Sequence, residues 1–229
     1  MGGEVAFAIK RNGRVSVREL SKHAACQVAR GDFFEGRGEL WREWKKTKAQ
    51  PFAPIGYGLV VVDFDAKWVG GIQSYTNFDK RYVYVSEKDD IADLETVWNQ
   101  GRIQSGQSDY QEAPSIPSQG TSFDEWLAPL IVKKGRKGGL HSITVAVAPL
   151  EGWEVESFSK DEAGWRSFID ALLQRDFKIT DKEISVWEEF FEYEELPAKT
   201  AGRVVAEHAA RKLEAHTKRP TAVRHRCRI

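Results

Sequence analysis

A stretch almost devoid of large apolar side chains, residues 101–122, divides this chain into two parts. It reads GRIQSGQSDYQEAPSIPSQGTS, in which Gly, Ser, Gln and Pro predominate. Such a segment has too little apolar surface to form a core, and a structureless connection of this length is unusual inside a compact domain. We therefore interpret 101–122 as a linker or long loop that follows an N-terminal α+β segment, 1–100.

Charge is distributed unevenly beyond this stretch. The 229 residues contain 34 basic and 34 acidic side chains, so the formal net charge is zero. However, residues 123–198 contain 9 basic and 16 acidic side chains, whereas residues 199–229 contain 9 basic and 2 acidic ones. The asymmetry predicts an acidic α+β segment, 123–198, followed by a basic C-terminal tail, 199–229. The tail is expected to begin as a helix with Val205, Ala209 and Leu213 on one stripe.

Alternating apolar residues separated by turn residues predict β-hairpins in the N-terminal segment. The first hairpin is predicted to turn through a three-residue loop at Arg11-Asn12-Gly13, which places Ile9 opposite Val15 on one apolar face. A second hairpin is predicted over 59–75, with its turn near 65–67, and another β run over 81–85. Helices are predicted over 18–30, 38–48 and 90–99.

Three helix starts of the Ser/Thr-x-x-Glu type are predicted in the acidic segment, because each satisfies free amide donors at a helix N-terminus. They begin at Ser122, Ser159 and Thr180. A strand is predicted over 141–148. The whole pattern indicates an α+β fold of antiparallel hairpins packed with several amphipathic helices.

Cysteine usage and hydropathy limit the compartment and the cofactors. Cys26 and Cys227 stand far apart and form no CxxC pair, so we expect neither a disulfide framework nor a zinc ribbon. The longest apolar runs, such as 59–62, are much shorter than a membrane-spanning helix, and no export signal is evident. We expect a cytoplasmic protein with no membrane association, no resident metal and no cofactor.

One catalytic alternative rests on the run LVVVDFDAK. It predicts a buried strand that ends in Asp63, Asp65 and Lys67. Asp-x-Asp-x-Lys at a strand end is an arrangement with which a nuclease holds Mg²⁺ and stabilises a developing charge. The competing interpretation is an ordinary polar turn. Magnesium is the cofactor only under this nuclease alternative.

Basic residues at three places predict contact with a polyanion. One group interleaves cations with Trp41 and Trp44, a combination that suits phosphate neutralisation beside base stacking, although paired tryptophans on one helix face also suit a core. The second group is a glycine-rich basic loop, and the third is the C-terminal tail. The candidate binding residues are Arg42, Lys45, Lys46, Lys48, Lys133, Lys134, Arg136, Lys137, Arg211, Lys212, Lys218, Arg219, Arg224, Arg226 and Arg228.

These patterns favour a non-catalytic binding or accessory protein that contacts nucleic acid or an acidic protein partner through its basic tail. The nuclease is one alternative. The other is a protein-protein interaction module that docks through the acidic helix over 181–195.

Overall fold

The computed structural model describes residues 4–21, 38–73, 82–85, 88–108, 120–128, 143–148 and 150–217. Its strands are β1 (Glu4–Arg11), β2 (Arg14–Ser21), β3 (Gly58–Asp63), β4 (Trp68–Gln73), β5 (Tyr82–Val85), β6 (Ile103–Ser108), β7 (Ile143–Val147) and β8 (Glu154–Ser157). Its helices are α1 (Gly38–Lys46), α2 (Lys88–Asn99), α3 (Phe123–Leu127), α4 (Glu162–Gln174), α5 (Asp181–Tyr193) and α6 (Thr200–Thr217).

A mixed five-stranded sheet forms the centre of the fold and confirms the α+β class. The strand order is β2-β1-β3-β4-β8, with β1 parallel to β3 and β4 parallel to β8. The two hairpins β1-β2 and β3-β4 are antiparallel, as predicted. Because β8 follows 101–122 in the chain, this sheet joins strands from both sides of the proposed linker. Two parallel pairings within it were not expected from the sequence.

The predicted register of the first hairpin was wrong by one residue. Ile9 pairs with Ser16 and not with Val15, and the turn has two residues, Asn12 and Gly13, both with positive φ. This is the type I′ geometry that Asn-Gly favours. The apolar alternation misled the prediction because β1 is buried on both faces from Val5 to Lys10, so its apolar residues do not mark a single core-facing side.

The sheet is covered on both faces, which explains why all six residues of β3 are buried. On one face Leu59 and Val61 belong to a core that includes Trp165 of α4 and Trp187 of α5. On the other face the intervening strand residues pack with Trp44 of α1. Burial of each large apolar side chain contributes roughly 1.5–3 kcal/mol to stability, so this double covering holds α1, α4 and α5 against one scaffold.

Two of the three predicted helix caps are confirmed as capping boxes. Ser122 accepts a hydrogen bond from the amide of Glu125 at the start of α3, and Thr180 does the same with Glu183 at the start of α5. The third was misplaced by two residues, because Asp161 and not Ser159 caps α4. A carboxylate interacts more favourably than a hydroxyl with the positive end of the helix dipole.

A second sheet has the order β5-β7-β6, and its strands are antiparallel. It packs with α2 and α3 through a core of Leu94, Val97, Trp126, Leu127 and Val145. Strand β6 lies inside 101–122, so part of that stretch is paired backbone. Strands β5 and β7 agree with the predicted β runs over 81–85 and 141–148.

Helix predictions in the N-terminal segment had mixed outcomes. Helices α1 and α2 confirm those predicted over 38–48 and 90–99. The helix predicted over 18–30 was wrong at its start, because 18–21 belongs to β2, where pairing with β1 outweighs local propensity. Residues 22–30 lie outside the described residues.

Helix α6 confirms a helical start to the basic tail but not its predicted apolar stripe. The side chains of Ala201 and Val204 are buried, Val205 is partly buried, and Ala209 and Leu213 are exposed. Only the first turns of α6 therefore pack on the core, and the remaining turns are held by other contacts.

Candidate nucleic-acid interface

Asp63, the first of the predicted nuclease residues, is fully buried and has several structural partners. Its Oδ1 accepts hydrogen bonds from the amides of Asp65 and Ala66, at 2.9 and 3.1 Å. Its Oδ2 accepts one from Nζ of Lys10 at 3.1 Å. A buried carboxylate is tolerated when it is paired and hydrogen-bonded. These contacts give Asp63 a structural role at the end of β3.

Asp65 connects the two hairpins of the main sheet. Its two carboxylate oxygens accept hydrogen bonds from the amides of Asn12 and Gly13, at 2.7 and 2.8 Å. These hydrogen bonds to Gly13 and Asn12 lower the pKa of Asp65 below its ordinary value, because they favour the charged form. The carboxylate therefore closes the Asn-Gly turn against the β3-β4 turn.

Lys67, the third predicted catalytic residue, lies in the β3-β4 turn with a φ of 51°. Asp63 ends β3, and Asp65 and Lys67 lie in the turn that follows it. Among the described residues, no group of three His, Cys, Asp or Glu side chains has a geometry that could hold a metal ion.

The cations of α6 lie against carboxylates of the same chain. Arg203 contacts Glu162 at 2.5 Å, and Arg211 contacts Asp170 at 2.7 Å. Between these pairs, Glu207 of α6 contacts Arg166 of α4 at 2.9 Å. The three ion pairs follow one another at intervals of one helical turn along both helices. We call this arrangement the α4-α6 ion-pair ladder.

The acidic helix α5 does not receive these cations. Lys212 lies 3.6 Å from Asp176, which follows α4, and the only ion pair of Glu194 within the described part of the chain is with Lys160, at 3.1 Å. Glu189 and Glu192 are exposed. Docking of a protein partner through this acidic helix stays a prediction.

Helix α1 presents cations on its outer side. Trp44 is buried and packs edge-on against Phe7 of β1, with the ring centroids 5.8 Å apart. Trp41 is only half-buried. The exposed side chains on this helix and just after it are Arg42, Lys45, Lys46 and Lys48. No carboxylate partner is found for these four cations within the described residues.

The turn end of the β1-β2 hairpin adds two more exposed cations beside α1. Arg11 and Arg14, both exposed, are directly paired across the two strands. The guanidinium of Arg11 lies 5.8 Å from the ring centroid of Trp41 and therefore reaches α1. The exposed cations Arg11, Arg14, Arg42, Lys45, Lys46 and Lys48 together form what we call the basic α1 surface.

Sequence reasoning missed two of these cations, Arg11 and Arg14. The signal was present in the Arg-Asn-Gly-Arg run, because a type I′ turn places the residues on either side of Asn-Gly opposite each other. What sequence could not indicate is that this turn lies beside α1. The remaining predicted cations, Lys133, Lys134, Arg136, Lys137, Lys218, Arg219, Arg224, Arg226 and Arg228, lie outside the described residues.

Comparisons of this chain with protein-family models, with curated proteins and with solved structures found no match. None of the helices formed by the described residues is both long and apolar enough to cross a membrane. What the protein does is therefore inferred from its own residues and their geometry.

Proposed function

We propose that this protein is a non-catalytic nucleic-acid-binding protein. In this proposal the basic α1 surface contacts the phosphate backbone, and the cations of residues 218–229 add to the attraction. The observation that carries it is the concentration of exposed cations without carboxylate partners, within the described residues, on α1 and the adjoining hairpin end.

Several of these cations lie close to one another, although the carboxylate of Asp65 attracts Arg11. Arg11 and Arg14 are opposite each other on paired strands, where like charges are destabilising. Arg42 lies three and four residues before Lys45 and Lys46, so the helix also places like charges on neighbouring positions. A bound polyanion would offset this repulsion and release its own counterions.

The α6 cations differ from those of α1 because they have carboxylate partners. We therefore propose that nucleic acid contacts α1 and not the start of the tail. Arg203 and Arg211 are already neutralised by carboxylates of α4. Phosphates would have to compete with these internal partners. The proposal assigns no catalytic step, since Asp63 and Asp65 already hold Lys10 and the turn amides.

The test is a charge reversal with a matched control. Lys45→Glu/Lys46→Glu should weaken binding of labelled single-stranded and duplex oligonucleotides by about tenfold or more. It should also reduce the salt slope of binding by about 2, since each phosphate that a lysine neutralises contributes about 1 to that slope. The control is Lys178→Glu/Lys182→Glu, which reverses two exposed lysines near the start of α5.

Fluorescence anisotropy at several salt concentrations measures both quantities. The control variant should bind nearly as well as the parent protein. Absence of binding by the parent at low salt, or an equal reduction of affinity in both variants, would refute the proposed function.

A further inference from the structure

Aromatic and cationic side chains from separate parts of the chain meet in one row beside the basic α1 surface. The ring of Trp153 contacts that of Phe64 edge-on, at a centroid distance of 5.5 Å. The guanidinium of Arg11 lies 4.2 Å from the Phe64 centroid and 5.8 Å from that of Trp41. Nζ of Lys45 lies 5.5 Å from the same Trp41 centroid. We call these five residues the aromatic-cation row.

The row is assembled by tertiary structure. Arg11 ends β1, and Phe64 begins the turn after β3, so the parallel pairing of those strands brings them together. Trp41 comes from α1. Trp153 immediately precedes β8 and is positioned by the pairing of β8 with β4.

The three aromatic side chains are half-buried, in contrast to Trp44 of α1 and Trp68 of β4. Trp44 and Trp68 are 6% and 1% exposed, whereas Trp41, Phe64 and Trp153 each retain intermediate exposure. They pack on the strand core below them and leave part of each ring at the surface. Partly exposed aromatic surface beside exposed cations is the combination with which proteins hold unpaired bases.

We propose that the aromatic-cation row binds single-stranded nucleic acid in preference to duplex. Bases would stack on Trp41 and on the planar guanidinium of Arg11, which itself lies over the Phe64 ring, while Arg42 and Lys46 contact the phosphates. A duplex keeps its base faces stacked on one another, so it offers only phosphates to this surface. Stacking is available to every base, and the preference is therefore for strand state and not for sequence.

This inference rests on the proposed function but has its own test. The probes are a labelled oligothymidylate, an oligouridylate of the same length and a duplex of that length, measured by anisotropy at one salt concentration. The parent protein should bind the single strands about tenfold or more tightly than the duplex, and bound bases should quench tryptophan fluorescence.

Two substitutions separate stacking from charge. Trp41→Leu removes an aromatic face, and Arg11→Lys keeps the charge but removes the planar group. Each should weaken single-strand binding by about five- to tenfold or more and leave duplex binding within about twofold, because one base can no longer stack. Trp98→Leu is the matched control, since Trp98 is half-buried in the second core, with Trp126 and Phe123.

Thermal unfolding of each variant shows whether it is folded. If Trp41→Leu does not fold, Arg11→Lys still tests the inference. Equal affinity for single strand and duplex, with no effect of either substitution, would refute the inference. The proposed function would stand in that case if Lys45→Glu/Lys46→Glu still weakened binding to both. If the parent binds neither probe, both proposals are wrong.

Discussion

Lys10 connects three elements through one ammonium group. Its Nζ donates hydrogen bonds to the buried carboxylate of Asp63 and to the backbone carbonyl of Arg175, which caps α4. The same ammonium lies 4.8 Å from the ring centroid of Phe177. Lys10 therefore joins β1 and β3 to the C-terminal end of α4, where the helix dipole favours a cation.

We predict that Lys10→Met destabilises the protein by about 3–5 kcal/mol, because it leaves the charge of Asp63 buried and unpaired. The free energy of unfolding in urea measures this effect. Lys178→Met, at an exposed position, should change it by less than about 0.5 kcal/mol. In the double variant Lys10→Met/Asp63→Asn the neutral amide still accepts the turn hydrogen bonds, so much of the stability should be recovered. Strictly additive effects of the two substitutions would contradict this account.

At the scale of elements, α6 is held by apolar contacts in its first turns and by ion pairs with α4 farther along. Apolar burial ends near Val204 and Val205, yet the helix continues to Thr217. Beyond that point the described contacts to α4 are polar, and Asp170 is central because it lies 2.7 Å from Arg211 and 3.6 Å from Nδ1 of His208. Exposed ion pairs each contribute little, so the outer turns of α6 should open more readily than its first turns.

Asp170→Asn should therefore change local order more than global stability. We expect the free energy of unfolding to fall by at most about 1 kcal/mol, the upper range for exposed ion pairs. Amide hydrogen exchange over 206–217 should become faster, because Arg211 no longer has a carboxylate partner. Asp176→Asn, whose pair with Lys212 is longer and more exposed, serves as the control. Unchanged exchange in the Asp170 variant would show that the ladder does not hold α6.

At the scale of the whole molecule, the C-terminal region has two separable parts. The first turns of α6 place Ala201 and Val204 in the same core as Trp165 and Trp187. The sequence after Thr217 carries five cations, at 218, 219, 224, 226 and 228, and no acidic residue. Removal of the first part changes the core, whereas removal of the second changes net charge.

Two truncations distinguish these parts. A chain that ends at Pro197 should be less stable by about 3 kcal/mol or more, because it exposes the core under α6. A chain that ends at Thr217 should keep a cooperative urea transition and should still bind oligonucleotides. Its salt slope should fall by at most about 1 for each phosphate that the removed cations neutralise. If the chain that ends at Thr217 does not bind at all, the whole interaction belongs to 218–229 and not to the basic α1 surface.

The predictable parts of the candidate site were those set by near neighbours in the chain. The cations of α1 follow from a short helical run, and the β3-β4 turn follows from Asp65 and its neighbours. Phe64 and Trp153 had no such signal, because nothing near Trp153 in sequence indicates that β8 pairs in parallel with β4. A site made from distant segments depends on pairings for which local propensity carries no information.

Sequence alone determined the features that a few adjacent residues control: the capping boxes at Ser122 and Thr180, the α+β class, and the hairpin that turns after Asp63. Only the tertiary structure decided the parallel pairings of β1 with β3 and of β4 with β8, and the internal partners of the α6 cations. The physical reason is that a cap or turn is stabilised within one turn of backbone. A strand buried on both faces, or a charge that meets a carboxylate 41 positions away, is stabilised by whichever distant segment the fold brings to it.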